Sequence, residues 1–459
     1  MHRLPSGPVR PNAPAPQRAV YRLAVAFATL VATLAAAPAP AADVIQTYRD
    51  AAANDAQFAS ARNALLAGRE QLPQGLSLLL PQVGLSGSAT RVNTVISQPQ
   101  PFGGFSATYN ARAYTLSLSQ PLFRWGNWQQ YQQGKLAVVL AEAQFAQSQQ
   151  DLIVRTVQAY FDVLYAEDSI NYAVAQKAAV EEQLASAKRN FEVGTTTITD
   201  TNEAQARFDL AVAQEIQSRS NLDVARAALQ QIIGRAPGTL APLVRDVDLT
   251  QPEPREIDPW VASAEQQNYV VAQNVANLEI ARRQIEVNRA GHLPTVDLVA
   301  SRSYNFTPPA LSSVTSQTNN AIGVQLSVPI YSGGYTSSKV REGIALADRA
   351  ESDLDFARRN AAQSARQAYF NVTSGLAQVR ALRAAEVSSQ SALDSNKLGY
   401  EVGVRTNIDV LNAQQQLFST QRDLSRARYD TLLNGLRLKS AAGTLTEEDL
   451  VRINVLLAH

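Results

Sequence analysis

The chain has 459 residues, a formal net charge of +1, three histidines, no cysteine and 7% aromatic residues. Without cysteine there is no disulfide framework, thiolate nucleophile, Cys-based metal site or thioether-linked lipid anchor. Near-neutral charge gives no basic footprint for nucleic acid. The length would allow two or three globular domains, but few aromatics with abundant Ala and Gln suit long helices packed through small residues.

The N-terminal segment reads as an address. Arg3, Arg10, Arg18 and Arg22 precede the first acid, Asp43, and an apolar run from Leu23 to Ala37 leads to Ala39, Pro40, Ala41 and Ala42. A charged segment, a short apolar run and small residues predict a secretory signal over 1–42. A membrane anchor needs about 20 apolar residues, more than this run supplies. Removing the four arginines leaves 37 basic against 40 acidic residues, so the mature chain carries −3. No other stretch has transmembrane-helix length, so a membrane location would not be that of a helical bundle.

The remainder reads as one unit written twice. Tyr160 and Phe161 recur as Tyr369 and Phe370, Gly194 as Gly403, Ala204 and Gln205 as Ala413 and Gln414, and Gly234 as Gly443, all 209 positions apart. Upstream, Gln120-Pro121-Leu122 aligns with Val328-Pro329-Ile330 at 208, and Leu80, Pro81 and Val83 align with Leu293, Pro294 and Val296 at 213. Such self-similarity sets the architecture: a first repeat over 43–250 and a second over 251–459.

Each copy predicts the same order of elements. A helix (about Val44–Gln74; about Trp260–Ala290) leads into period-two alternation from Val83 and from Val296. A Gly/Pro/Ser/Thr/Asn-rich loop follows (Gln98–Gly104; Thr307–Asn320), then a return strand from Tyr114 and from Ile322 that Pro121 and Pro329 are expected to stop. Helical pattern then runs uninterrupted. In the second copy Ala347, Leu354, Ala361, Ala365, Ala368, Val372, Leu376 and Val379 keep the spacing, after Val340 and Ile344. That helix, about Ser337 to Val402, would be about 100 Å long. Gly194 and Gly403 suit its C-terminal turn. Thr197 with Asp200, and Thr406 with Asp409, are capping boxes opening a second helix back to Gly234 or Gly443. The fold class is α+β, mainly α, each copy a β-hairpin plus a long helical hairpin.

Four strands cannot satisfy their own edges. In an exported chain, strands alternating small-polar with apolar suit an outer-membrane barrel, and known single-chain barrels begin at eight strands. Two or three chains are therefore needed, and the Ala-rich helical stripes need neighbours as well.

At Gly291–Leu298 (GHLPTVDL), Ser327–Gly334 (SVPIYSGG), Tyr400–Asp409 (YEVGVRTNID) and Lys439–Asp449 (KSAAGTLTEED) the chain resembles the TolC-type outer-membrane efflux proteins. The resemblance spans Val44 to Leu457. It implies a homotrimer forming a 12-strand barrel in the Gram-negative outer membrane, continuous with a 12-helix periplasmic barrel. The 233–260 linker and the segment after Gly443 would build a belt between them. It also implies a passive export duct embedded in outer-membrane lipid, working with a periplasmic adaptor and an inner-membrane pump of RND, ABC or MFS type, without cofactor or enzymatic activity. The alternative, a periplasmic coiled-coil adaptor, would carry a lipoyl-like β-sandwich and one helical hairpin. Cargo is not legible, since a passive duct has no substrate pocket.

The helical tips carry the chemistry. Asp200 and Asp409 share the third helical position of their capping boxes. Between the copies Phe191 becomes Tyr400 and Thr196 becomes Arg405, so the second tip gains donors, while the first offers acceptors in Thr199 and Asp200. This suits either plain capping or a ring of latches. The resemblance implies the latter, with Tyr400 and Arg405 matching the family's constricting network to Thr199 and Asp200. Asp409 matches its acidic selectivity ring, whereas Asn412 stands where a second aspartate is expected, which predicts a weaker cation filter. Val193, Gly194, Val402, Gly403 and Val404 are the expected adaptor contact; a simple C-terminal turn explains them equally well. His292 lacks the partners a catalytic base needs, and Gly103-Gly104 and Gly333-Gly334 are turns rather than phosphate loops.

Overall fold

The structure is a computed structural model that describes residues 41–96, 104–244, 247, 249–306 and 316–458. The expected signal over 1–42 lies outside the described residues apart from Ala41 and Ala42. The first expected loop lies outside them apart from Gly104, and so do residues 307–315 of the second.

The expected opening helix is three: α1 (Val44–Asn54), α2 (Ala56–Arg69) and α3 (Gln71–Ser77). Asp55 breaks it. Its carboxylate accepts from the Phe58 N–H at 2.6 Å, starting a new helix, and is held by Arg155 at 3.1 Å. Such local side-chain bonding competes with the helical ladder. The opening helix of the second half is likewise divided, at Asn268 (α6 Asp258–Gln267, α7 Tyr269–Arg289), where the Asn268 side chain accepts from Val270 N–H at 2.9 Å.

Strands β1 (Gln82–Ile96), β2 (Phe105–Phe123), β3 (Thr295–Phe306) and β4 (Ser316–Ser327) form one antiparallel sheet in the order β1-β2-β3-β4. Pro121 does not stop β2. The strand runs on to Phe123 and its register against β3 shifts between the two, where a residue without an N–H cannot hold the ladder. β4 starts inside the expected loop, because Thr318 and Asn320 pair with Tyr304 and Arg302.

The register sorts the sheet into two faces. Val83 and Leu85 lie opposite Leu118 and Leu116, while Val296, Leu298 and Ala300 lie opposite Leu326, Val324 and Ile322. The other face carries Gly84, Ser86, Ser88, Thr115, Ser117 and Gln325. No core covers the apolar face: Leu85 is 78% and Ile322 80% exposed. A bidentate ion pair anchors the base of the sheet, Arg124 Nε to Asp297 Oδ1 at 2.8 Å and Nη2 to Oδ2 at 2.7 Å.

From the sheet descend α4 (Trp125–Glu192, 68 residues) and α8 (Tyr335–Glu401, 67 residues), each about 100 Å at 1.5 Å per residue. α5 (Ile198–Ile233) and α9 (Asn407–Ala441) return alongside. The stripe from Ala347 to Val379 is buried as expected; above it Ile344 is 40% exposed and Val340 half-buried.

The helices are not coreless. Midway, Leu152, Val157, Tyr160, Phe161 and Leu164 of α4 pack with Val44 and Tyr48 of α1, Leu240 and Ala241 of the linker, and Leu450, Ile453 and Leu457 around α10 (Glu448–Asn454). Tyr160 donates to the Ala241 carbonyl at 2.8 Å and lies 3.1 Å from that of Ala42. The linker and C-terminal segment are stitched by bridges of Ala42 to Leu240 and of Leu243 to Leu457.

Candidate functional site at the helical tips

Two short turns cap the hairpins, residues 193–197 and 402–406. At each, the last helix ends on a left-handed glycine, Gly194 at φ 78° and Gly403 at φ 79°. Glycine enters that region without the steric cost a Cβ brings. Thr195 N–H then reaches the Asn190 carbonyl at 2.9 Å, and Val404 N–H that of Gly399 at 2.9 Å. Val193, Val402 and Val404 project outward, 73%, 65% and 75% exposed.

Both capping boxes form. Asp200 Oδ2 accepts from Thr197 N–H at 3.1 Å and Oγ1 at 2.9 Å; Asp409 Oδ2 accepts from Thr406 N–H at 2.9 Å and Oγ1 at 2.8 Å. The Thr406 backbone bond, then its hydroxyl, holds the Asp409 carboxyl below the ordinary carboxylate value, with Arg405 adding a smaller pull.

The predicted latch residues do not meet within one chain. Tyr400 Oη accepts from Asn190 Nδ2 at 3.1 Å, linking the last turns of α8 and α4. Among the described residues no hydrogen bond joins Tyr400 or Arg405 to Thr199 or Asp200. The aliphatic stem of Arg405 lies against Gly399, where an added Cβ would sit 2.6 Å from its Cγ.

A second link was not foreseen. Two turns above the tip, Arg207 of α5 donates from Nη1 to Gln415 Oε1 at 2.7 Å and from Nη2 to Asn412 Oδ1 at 3.0 Å. Asn412 is therefore not simply a missing charge; it binds a cation from the neighbouring hairpin. Asn190 and Arg207 face Gly399 and Gln416 in the repeat alignment, so comparing the copies at those positions would have flagged both.

Between the hairpins, Leu411 packs among Val180, Leu184, Ala187 and Ala204. On the same face of α9, Asn407 and Gln414 are 3% and 2% exposed. Neither amide atom of Asn407, nor the Gln414 carbonyl oxygen, finds a hydrogen-bond partner among the described residues. Buried groups of this kind are normally bonded.

No grouping of His, Cys, Asp or Glu suited to a metal occurs among the described residues, and no described helix is long and apolar enough to cross a membrane. What the chain does present is a sheet apolar on an uncovered face, carried on helices of about 100 Å whose tips bear exposed valines and polar links. Those features define an outer-membrane export channel.

The family model for outer membrane efflux proteins matches residues 47–235 and 260–444. The chain belongs to that family, a family of transport channels of the Gram-negative outer membrane. It is 33% identical over 425 residues to the outer membrane protein TolC of Escherichia coli, covering 90% of this chain and 85% of that one. It is 34% identical over 412 residues to the alkaline protease secretion protein AprF of Pseudomonas aeruginosa, covering 89% and 85%. The fold matches the crystal structure of the Campylobacter jejuni CmeC outer membrane channel at a TM-score of 0.75, with 19% identity and coverage of 89% of this chain and 88% of that one. It matches CusC at 0.74, with 18% identity over 88% and 92%. These relatives are channels and secretion proteins, and the adaptor alternative gains no support from them.

Proposed function

We propose that three copies close their four-stranded sheets into a 12-strand barrel, continuous with a tube of four long helices from each chain. The repeats over 43–250 and 251–459 are successive sectors of that ring, and the leader is removed on export after Ala41, one residue earlier than the 1–42 expectation, because Ala42 pairs with the linker. One observation carries the reading: a sheet with an exposed apolar face, an opposite polar face and two unpaired edges. In lipid every backbone group must pair within a closed ring, and an apolar outer face is then favourable.

The tube ends in a gate. Tyr400 and Arg405 of one hairpin link to Thr199 and Asp200 of the next, closing the tips between protomers. Partly exposed links of this kind are worth only about 0.2–1 kcal/mol each, so a docking partner opens the ring without unfolding it. That partner is a periplasmic adaptor, inserting at Val193, Gly194, Val402, Gly403 and Val404 and bridging to an inner-membrane pump. Three Asp409 carboxylates around the axis favour cations. The protease-secretion names of AprF, and of PrtF of Dickeya chrysanthemi, support secreted proteins as one class of cargo.

Fractionation, native mass and planar-bilayer recording test the reading. Outer-membrane recovery as a trimer that forms a cation-selective pore is expected. Recovery as a soluble periplasmic monomer would sink it.

A further inference from the structure

The repeat specifies how one chain joins the next. Its offsets, 213 positions for the outgoing strand and 208 for the return strand, come from prolines and apolar residues flanking the sheet. Applied to the first hairpin they carry the pair Gln82–Ser119 onto Thr295–Ser327, and Ser88–Ala113 onto Ser301–Ala321. Both are pairs of the second hairpin. The repeat therefore preserves strand register, and not merely element order.

The junction between the two halves is the ladder of β2 with β3, in which Ser117 faces Ser301 and Gln120 faces Leu298. Across the edge between chains the equivalent ladder joins β4 of one copy to β1 of a second copy. Moving β2 forward by 208 and β3 back by 213 turns Ser117–Ser301 into Gln325–Ser88, and Arg112–Phe306 into Asn320–Asn93. We propose that β4 pairs with β1 of a second copy in this register, Gln325 opposite Ser88, Leu326 opposite Gly87 and Val324 opposite Ala89. The proposal rests on the ring assembly proposed above.

An independent observation agrees. A register fixes which faces adjoin, and a slip of one residue exchanges them. In the proposed register Leu326 and Val324 of the apolar face meet Gly87 and Ala89, which lie on the same face as Val83 and Leu85. Gln325 and Ser327 of the polar face meet Ser88 and Ser86. The large side chains of β4 thus stand over the small ones of β1, so apolar and polar faces run continuously around the ring. A slip of two also keeps the faces, and only the repeat offsets exclude it.

Because the chain has no cysteine, engineered pairs read the register directly. Residues directly opposite in an antiparallel ladder have Cα atoms about 4.5–5.5 Å apart, within disulfide reach, whereas diagonal neighbours stand about 7–8 Å apart. Gln325→Cys is combined in turn with Ser88→Cys, Ser86→Cys and Thr90→Cys, and each protein is oxidised in outer-membrane vesicles. Within one chain these positions lie on opposite edges of the sheet, so any bond is between copies. The Ser88→Cys combination is expected to shift the non-reduced band from one-chain to three-chain mass, reversibly with reductant, while the other two stay at one-chain mass.

Bonding of the Ser86→Cys or Thr90→Cys combination in its place overturns the register and leaves the trimer standing. Absence of bonding in all three also overturns the register. The native mass of the unsubstituted protein and of each reduced variant then decides whether the ring assembly fails with it.

Discussion

In the proposed gate, single side chains at the tips set how firmly the tube is shut. Arg405→Ser combined with Tyr400→Phe removes the proposed latches and the bond Tyr400 makes to Asn190. Planar-bilayer conductance is expected to rise, and an unchanged value would reduce both to structural residues. In the proposed selectivity ring Asp409 is opposed by Arg207. Asp409→Ala is expected to lower cation preference and Arg207→Gln to raise it, because the guanidinium sits on Asn412 beside the proposed ring. Reversal potentials in a salt gradient measure both. Asp409 also makes the cap pH-dependent. Its carboxyl is held below the ordinary value of 3.8, so the cap is at full strength above that value and is lost as pH falls through the depressed one. Conductance should be flat from neutral pH down to about pH 5 and change only below about 4. Asp409→Asn should abolish that acid change.

Among the elements, the face of α9 that packs on the first hairpin is the seam the proposed gate would open. Leu411 holds it, and truncation to Ala removes buried contacts worth about 2–5 kcal/mol. Gln414, buried with an unbonded carbonyl oxygen, acts against it. Gln414→Leu relieves a desolvation penalty of about 1–3 kcal/mol, so the denaturation midpoint should rise and opening become rarer. Neighbours on one stripe with opposite signs are the check; two destabilising results would refute the assignment. The belt tolerates less. Gly443 has φ 76°, and a Cβ there would lie 2.3 Å from the Gln267 carbonyl oxygen, so Gly443→Ala should abolish outer-membrane recovery. Ala42 donates its N–H to the Thr239 carbonyl at 2.8 Å, which favours leader cleavage after Ala41. N-terminal sequencing should read Ala42 first.

At the scale of the whole molecule, one chain leaves open what the proposed ring would close. Both edges of its sheet are unpaired among the described residues, and Phe356 and Leu210 stand 71% and 64% exposed on the long helices. Such surface is unfavourable in water by roughly 25 cal/mol per Å², and the proposed ring would cover it. Among the described residues the largest core lies midway along the long helices, where helices, linker and C-terminal segment converge.

The long helices, the hairpins and the caps were legible in the sequence because each rests on local rules. Uninterrupted 3/4 spacing, alternation, a left-handed glycine and a threonine three residues before an aspartate all act within a few residues. The proposed doubling likewise rests on the sequence, as a fixed offset between matching residues. The opening helices were misread as continuous, because Asp55 breaks one through its own cap and through Arg155, a hundred residues distant. Pro121 was misread as a stop, because β3 keeps pairing past it. Comparing the copies flags Asn190 and Arg207 as divergent, but not that they bond Tyr400 and Asn412. A hydrogen bond between side chains some two hundred residues apart leaves no local pattern, and only the packing of one hairpin against the other brings them to 3.1 and 3.0 Å.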